Sequence, residues 1–161
     1  MPEGSIIFIG ANNVYGFQVG PKGLTWIFIR PDRPDVDITK TDLRPAAKTV
    51  QRDQRTEAHS ASTIEAKPWQ QVGNDIGLSQ RDVIDTVGYP RVSFYKATSS
   101  NEVAQTATHA QFLYVMDGTL EAGGYAGTEG GLVSIPQGTT YTPRGKGGEV
   151  TYWMVERAVQ T

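Results

Sequence analysis

The chain has no cysteine and only two histidines, His59 and His109, among its 161 residues. The absence of cysteine excludes disulfides, thiolate catalysis and cysteine-based zinc sites. Basic residues are not in excess, because 15 Lys and Arg stand against 17 Asp and Glu, and this balance argues against a nucleic-acid-binding surface. No apolar run approaches the roughly 20 residues of a membrane helix, and Met1-Pro2-Glu3-Gly4 lacks the basic region of a signal peptide. We therefore expect a cytoplasmic protein with neither a nucleic-acid nor a membrane partner.

Glycine is abundant, with 18 residues, while hydrophobic residues make up a modest 38% of the chain. This mixture favours short strands separated by turns. Apolar and alternating segments predict strands at 91–96, 111–116, 131–136 and 149–156, and Asp117-Gly118 is a strong hairpin signal. Strands at such short spacing indicate an all-β fold, a small antiparallel barrel or sandwich.

One motif occurs twice, at an offset of 126 positions. Residues 4–15 match residues 130–141, and both copies end on a tyrosine. The register continues without a gap into a second apolar segment, where 24–29 matches 150–155. A repeat at such a distance indicates a duplicated strand pair.

The sequence predicts three parts. Residues 1–36 contain two strands, at 4–10 and 24–30, joined through a turn-rich connection. Residues 37–68 are polar with little periodicity, which indicates a solvated linker. Residues 69–161 hold the barrel. Since two strands with apolar faces are not stable alone in water, the N-terminal pair must pack on the barrel or on a second subunit.

Two segments of the predicted barrel resemble the two sequence motifs of the cupin family. Residues 112–120 resemble the end of the first motif, which runs into a Tyr-Val-Leu-x-Gly turn. Gly130, Pro136-Gln137-Gly138 and Tyr141 are similar to the second motif, in which a histidine stands in place of the tyrosine. Together the motifs cover residues 88–157. The resemblance implies an antiparallel jelly-roll barrel with extra N-terminal strands.

The N-terminal copy of the motif resembles only the back half of a second cupin repeat. Three origins stay open: a bicupin that lost its first half-barrel, a single cupin that exchanges its extra strands with a neighbour, or a piece of a longer protein. Because cupin dimers commonly exchange strands, we favour a homodimer with strand exchange through residues 4–30.

The resemblance also indicates where a metal would bind. In most cupins two histidines, a glutamate and a later histidine hold a divalent transition metal. Here the glutamate position is Gln111, the first two histidines fall near Ala104-Gln105-Thr106-Ala107, and the last is Tyr141. An amide, a phenol and small neutral groups are poor ligands for iron, manganese or zinc. We therefore expect no metal and no other cofactor, which counts against the dioxygenase and decarboxylase chemistry of metal-bearing relatives.

Each candidate side chain has an alternative interpretation. His109 lies two residues before Gln111, so a continuous strand would direct both side chains to one face, where His109 could act as a general acid or base. If 108–110 is a loop instead, His109 points into solvent. Tyr141 either donates a hydrogen bond to a ligand or fills space, and His59 is expected to be exposed. The predicted catalytic residues are His109, Tyr141 and Gln111, and the predicted ligand-binding residues are Gln105, Phe94, Tyr114 and Trp153.

Three functions are compatible with these residues. The first is a metal-independent enzyme of isomerase, cyclase or lyase type that acts by acid–base chemistry on a small organic molecule inside the barrel. The second is a sensor or carrier that binds a small molecule without catalysis. The third is a structural barrel that acts through oligomerisation.

Overall fold

A computed structural model of the protein describes residues 4–10, 19–27, 29, 55–74, 76–87 and 89–156. The chain divides into two units, Met1–Ser60 and Ala61–Thr161. In these described ranges, no helix is long and apolar enough to cross a membrane.

The first unit contains a two-stranded antiparallel sheet. β1 (Ile6–Ile9) pairs with β2 (Thr56–His59), with Ile6 opposite His59. The predicted strand at 4–10 is therefore present, but its predicted partner is wrong, because residues 24–27 and 29 are not in a strand. The true partner lies in the segment predicted to be a linker.

Two predictions about single residues of the first unit have different outcomes. His59 is not the exposed side chain that we expected: it is 17% exposed, and its Nε2 lies 2.7 Å from Oε1 of Glu57. Tyr15, the end of the N-terminal motif copy, lies outside the described residues.

The regular secondary structure of the second unit is almost entirely β. It begins with one helical turn, α1 (Ala61–Glu65), whose Ile64 is buried. The strands that follow are β3 (Gln70–Gln71), β4 (Leu78–Ile84), β5 (Arg91–Ala97), β6 (Gln105–Thr106), β7 (Gln111–Asp117), β8 (Thr119–Ala122), β9 (Tyr125–Thr128), β10 (Leu132–Ile135), β11 (Thr140–Tyr141), β12 (Arg144–Gly145) and β13 (Val150–Glu156).

These strands form three antiparallel sheets. The largest has six strands in the order β10-β7-β13-β5-β4-β3, a second has the order β12-β8-β9, and β11 pairs with β6. One core cluster contains buried side chains from five strands of the large sheet (β4, β5, β7, β10 and β13) together with those of β8 and β11, so the sheets enclose a common interior. The unit is an all-β jelly-roll barrel, and the predicted fold class is confirmed.

Alternation along the strands decides which side chains enter this interior. On β7, Gln111, Leu113 and Val115 are buried and the residues between them are partly exposed. On β13 the same alternation buries Tyr152 and Met154. Burying one such apolar side chain fully is worth about 1.5–3 kcal/mol, so the inward row of each strand sets the register of the sheet.

The turn at Asp117-Gly118 is present, but it does not close the hairpin that we expected between β7 and β8. β7 pairs with β10 and β13, whereas β8 pairs with β9 and β12, so the chain passes from one sheet to another at this point. Gly118 has a φ of 84°, and a Cβ there would lie 2.8 Å from the backbone oxygen of Glu149. The hairpin of this region joins β8 to β9 through Gly123-Gly124, where both φ angles are positive, as a two-residue turn requires.

Candidate functional site

Three of the predicted site residues meet inside the barrel. Tyr141 on β11 is paired with Gln105 on β6, and Gln111 is the first residue of β7. The Tyr141 hydroxyl donates to Oε1 of Gln111 at 2.7 Å and approaches Oε1 of Gln105 at 3.1 Å. One hydroxyl proton thus serves two carbonyl oxygens, and the shorter bond goes to the more deeply buried amide.

A second phenol and a third amide extend this group. The Tyr95 hydroxyl on β5 donates to Oε1 of Gln80 on β4 at 2.6 Å. The Tyr95 ring is stacked on the ring of Tyr152, with centroids 5.3 Å apart and an interplanar angle of 8°. We call Tyr95, Tyr141, Tyr152, Gln80, Gln105 and Gln111 the phenol–amide cluster.

Burial keeps the three phenols of the cluster protonated. It raises the pKa of Tyr95 to about 12, and it raises the pKa of Tyr141 and of Tyr152 well above the usual value. Transfer of an ionised phenolate out of water is unfavourable, so desolvation favours the neutral form. All three hydroxyls are therefore neutral hydrogen-bond groups near neutral pH.

The neighbouring carboxylates act in the same direction as burial. The negative charge of Glu156 raises the pKa of both Tyr95 and Tyr141, and that of Asp82 also raises the pKa of Tyr95. At Tyr95 the Arg91 guanidinium acts more strongly than either carboxylate and lowers the pKa, as does a hydrogen bond with the Gln105 side chain. The surroundings of Tyr141 therefore disfavour an additional negative charge, whereas Arg91 offsets the carboxylates at Tyr95.

Glu156 is the buried carboxylate closest in register to the cluster, because it lies opposite Gln111 in the pairing of β13 with β7. Its Oε1 accepts hydrogen bonds from the hydroxyl of Thr108 at 2.6 Å and from the backbone N–H of His109 at 3.2 Å. Nδ1 of His109 lies 3.5 Å from the same oxygen. Three groups therefore converge on one carboxylate oxygen.

His109 is consequently not where the continuous-strand interpretation put it. Residues 107–110 belong to no strand, and β7 begins only at Gln111. The His109 ring is about a third exposed and faces Glu156 and Thr108. Of the described contacts of His109, none is with Tyr141 or Gln111, so the predicted catalytic set is divided between the cluster and a histidine–glutamate pair.

A second carboxylate, Asp82, is held by two side chains of the neighbouring strand β5 and by one of its own strand, β4. Its Oδ1 accepts from the hydroxyl of Ser93 at 2.7 Å and from Arg91 at 3.3 Å, and its Oδ2 accepts from Nε2 of Gln80 at 3.4 Å. Gln80 therefore links this carboxylate to Tyr95.

The aromatic side chains predicted to bind ligand require a correction. Phe94, Tyr114 and Trp153 do not line the interior, because each lies between two inward residues of its strand and so points to the opposite face. Phe94 packs on Trp153 there, with ring centroids 4.8 Å apart. The alternation of β-strands is the physical reason, since neighbouring side chains cannot share a face.

The residues at the expected metal positions do not fit a divalent transition metal. Gln111 and Tyr141 are bonded to each other, and the raised pKa of Tyr141 keeps its phenol protonated. Neutral amides and phenols lack the donor strength of imidazole or carboxylate. Among the described residues, no group of three or more histidine, aspartate or glutamate side chains is placed to hold a metal ion.

Several residues of this site were not predicted from the sequence. Tyr95, Gln80, Tyr152 and Glu156 were not predicted to contribute. The signal that could have identified Tyr152 and Glu156 is the alternation of the 149–156 strand, because both lie in register with the inward residues of that strand.

Comparisons with known proteins add neighbours of similar fold. No protein-family model and no curated protein matches the chain. An RmlC-like cupin protein from Ralstonia eutropha is 16% identical, with a TM-score of 0.48, over 60% of this chain and 66% of that one. The polyketide cyclase RemF from Streptomyces resistomycificus is 15% identical, with a TM-score of 0.47, over 58% of this chain and 75% of that one.

A third similar structure is the complex of Rhodobacter sphaeroides SigE with the anti-sigma ChrR. It is 14% identical, with a TM-score of 0.49, over 58% of this chain and 50% of that chain. The chain therefore spans less than two thirds of the RmlC-like cupin and half of this last protein. The similar structures thus include cupins, the family that the motif residues resemble.

Proposed function

We propose that the barrel of the second unit binds a small uncharged organic molecule at the phenol–amide cluster. The observation that carries the proposal is the convergence of the Gln111 and Gln105 amide oxygens on the Tyr141 hydroxyl, 2.7 and 3.1 Å away. Few but converging polar groups in an otherwise apolar interior are typical of a site that orients a small molecule.

The charge around the cluster supports an uncharged ligand. Glu156 raises the pKa of both Tyr95 and Tyr141, and its charge would also repel a carboxylate or phosphate group of a ligand. The nearby Arg91 guanidinium is paired with Asp82 at 3.3 Å, so its positive charge is already compensated. The phenols cannot supply a compensating positive charge. An anionic ligand is therefore disfavoured at this end of the interior.

The partial exposure of two amides supports access to the cluster. Gln80 and Gln105 are half-buried, whereas Gln111, Tyr95 and Tyr141 are buried. A ligand would enter past these two amides.

A fragment screen tests the proposal. Saturation-transfer NMR with neutral, cationic and anionic fragments on the full chain should find binding among the neutral ones. Gln111→Leu should abolish that binding, because the substitution removes the amide and leaves Tyr141 without its nearest acceptor. Gln70→Leu is the matched control, since Gln70 is exposed on β3, and it should bind like the wild type. Equal binding by the Gln111→Leu protein would refute the proposal.

A second candidate function is acid–base catalysis on such a ligand. It is favoured by the 3.5 Å approach of His109 to Glu156, which lies in register with Gln111. A histidine beside a carboxylate can transfer protons near neutral pH. If the barrel is an enzyme of isomerase, cyclase or lyase type, a bound molecule should be converted over time, and His109→Gln should abolish conversion while binding persists. If the wild type binds the molecule but does not convert it, catalysis is excluded and the function is that of a sensor or carrier.

We also propose that the chain forms a homodimer through its N-terminal segment. Val19, Leu24, Trp26 and Ile27 are each about half exposed. Apolar side chains concentrated in so short a segment are characteristic of an interaction surface.

A further inference from the structure

The hydroxyl oxygen of Tyr152 is the one side-chain atom of the cluster that is both buried and without a hydrogen-bond partner among the described residues. Tyr152 is fully buried at the middle of β13. Its hydroxyl is buried as well, and no atom of the described residues forms a hydrogen bond with it. Buried polar groups in folded proteins are almost always satisfied by protein, water or ligand. An unsatisfied hydroxyl inside a polar cluster therefore indicates a partner that the chain itself does not supply.

The other two phenols are close to this hydroxyl. Tyr95 is stacked on the Tyr152 ring at 5.3 Å, and the proximity of Tyr95 and Tyr141 contributes to raising the pKa of Tyr152. A group that reaches the Tyr152 hydroxyl would therefore also be near the oxygen of a second phenol.

The available donors and acceptors define what that group must be. The protons of Tyr95 and Tyr141 are already donated, to Gln80 and to Gln111. Their oxygens keep lone pairs, whereas the proton of Tyr152 is uncommitted. The complementary group accepts one hydrogen bond and donates another. A hydroxyl does both, while a carbonyl can only accept and an ammonium can only donate.

We infer that the Tyr152 hydroxyl forms the inner end of the ligand site and recognises an uncharged hydroxyl group of the ligand. The inference rests on the proposed binding function and narrows its ligands to alcohols. The ligand hydroxyl accepts the proton of Tyr152 and donates to the oxygen of Tyr95 or Tyr141. The apolar part of the ligand then lies against the apolar side of the interior, which includes Met154.

A methyl label on methionine measures this binding. Met154 is buried in the interior beside Tyr152, whereas Met116 lies on the outward side of β7 and serves as an internal control. The probes are cyclohexanol, cyclohexanone, cyclohexylammonium and cyclohexanecarboxylate, which share one ring and differ in the polar group. At millimolar concentration, cyclohexanol should shift the Met154 methyl signal and bind most tightly, while the Met116 signal should stay unchanged.

Two variants show whether Tyr152 is responsible. Tyr152→Phe should weaken cyclohexanol binding by about threefold to tenfold, the loss expected for one hydrogen bond. Cyclohexanone accepts from the same hydroxyl and should be weakened by a similar factor, whereas the wild-type preference for the alcohol over the ketone should persist in the variant. Tyr125→Phe removes an exposed hydroxyl on β9 and should bind like the wild type. Without ligand, Tyr152→Phe should melt at the wild-type temperature or above it, because its hydroxyl has no partner to lose.

The outcomes separate this inference from the proposed function. If several probes shift Met154 but the alcohol is not preferred, or Tyr152→Phe binds it as tightly as the wild type, the inference fails alone. If unliganded Tyr152→Phe melts at a lower temperature than the wild type, the partner of the Tyr152 hydroxyl is a bound water. This result would also overturn the inference. If no probe shifts Met154, the proposed function fails together with the inference.

Discussion

Tyr141 holds two glutamine side chains with one hydroxyl proton. Tyr141→Phe should destabilise the chain by about 1–3 kcal/mol, because it leaves the buried amide oxygen of Gln111 without its donor. Urea denaturation followed by circular dichroism measures the change. Tyr125→Phe is the control and should stay within about 0.5 kcal/mol of the wild type. A Tyr141→Phe protein as stable as the wild type would contradict the described hydrogen bonds.

The buried phenols also make stability depend on pH in alkaline solution. The unfolded chain loses phenol protons near the usual pKa of about 10, whereas folded Tyr95 keeps its proton until about pH 12. The unfolded state then binds fewer protons than the folded state, so stability is full below pH 10 and falls as the pH rises towards 12.

We expect each buried phenol to contribute a loss of about 1.4 kcal/mol per pH unit in that window. Urea denaturation at intervals from pH 9 upward measures the slope, with the tyrosinate absorbance followed in parallel. Tyr152→Phe removes one such group and should make the slope shallower by that amount. An identical slope in the variant would show that the Tyr152 phenol ionises equally in both states.

At the residue scale the sequence predicts the centre of the site but not its surroundings. Gln111, Gln105 and Tyr141 meet as the motif spacing indicates, because the spacing fixes their strands. The inward residues Tyr95 and Tyr152 follow from strand alternation only once the inner face is known. The His109–Glu156 pair depends on the path of a loop, which local sequence does not determine.

At the scale of elements, two glycines offer a matched comparison. Gly118 and Gly124 have nearly the same positive φ, 84° and 85°, but an added Cβ meets the Glu149 oxygen only at Gly118. Gly124→Ala should therefore cost about 1–2 kcal/mol for the left-handed conformation alone. Gly118→Ala should cost about 2–4 kcal/mol, since the clash adds to the same strain.

Thermal or urea unfolding of the two variants measures the difference. Since the conformational cost is common to both, the difference isolates the close approach of the chain at the crossing from β7 to β8. Equal destabilisation would mean that the backbone around Glu149 yields without cost.

Strands are predicted better than their partners. The apolar strands at 91–97, 111–117, 132–135 and 150–156 carry a periodic signal and all form. The partner of β1, Thr56–His59, carries no such periodic signal. It is polar and pairs with β1 through backbone hydrogen bonds that any sequence can make. The hairpin prediction at Asp117-Gly118 is wrong for a similar reason. The dipeptide predicts a positive φ at the glycine, but it does not determine which strands pair with each other on either side of the turn.

At the scale of the whole molecule, the proposed homodimer gives a direct test. The full chain should sediment as a dimer at micromolar concentration in analytical ultracentrifugation. Combining Leu24→Ser with Ile27→Ser should shift it to a monomer, because the pair removes apolar side chains that are about half exposed.

The control for this experiment changes exposed apolar residues elsewhere. Ile76 and Val87 are 86% and 87% exposed, and their replacement by serine should leave the dimer intact. A monomeric wild type, or a dimer that persists in the Leu24→Ser, Ile27→Ser protein, would contradict the proposed interface.

The position of β13 has a consequence for biosynthesis. It lies between β5 and β7 in the six-stranded sheet, although it follows both in the sequence. During translation, β5 and β7 emerge with the place between them empty, and their inner edges have no neighbour. The sheet cannot close before Glu156 leaves the ribosomal exit tunnel, so it must close after most of the barrel has been synthesised. A ribosome stalled earlier would carry an open, aggregation-prone half-sheet and not a smaller folded barrel.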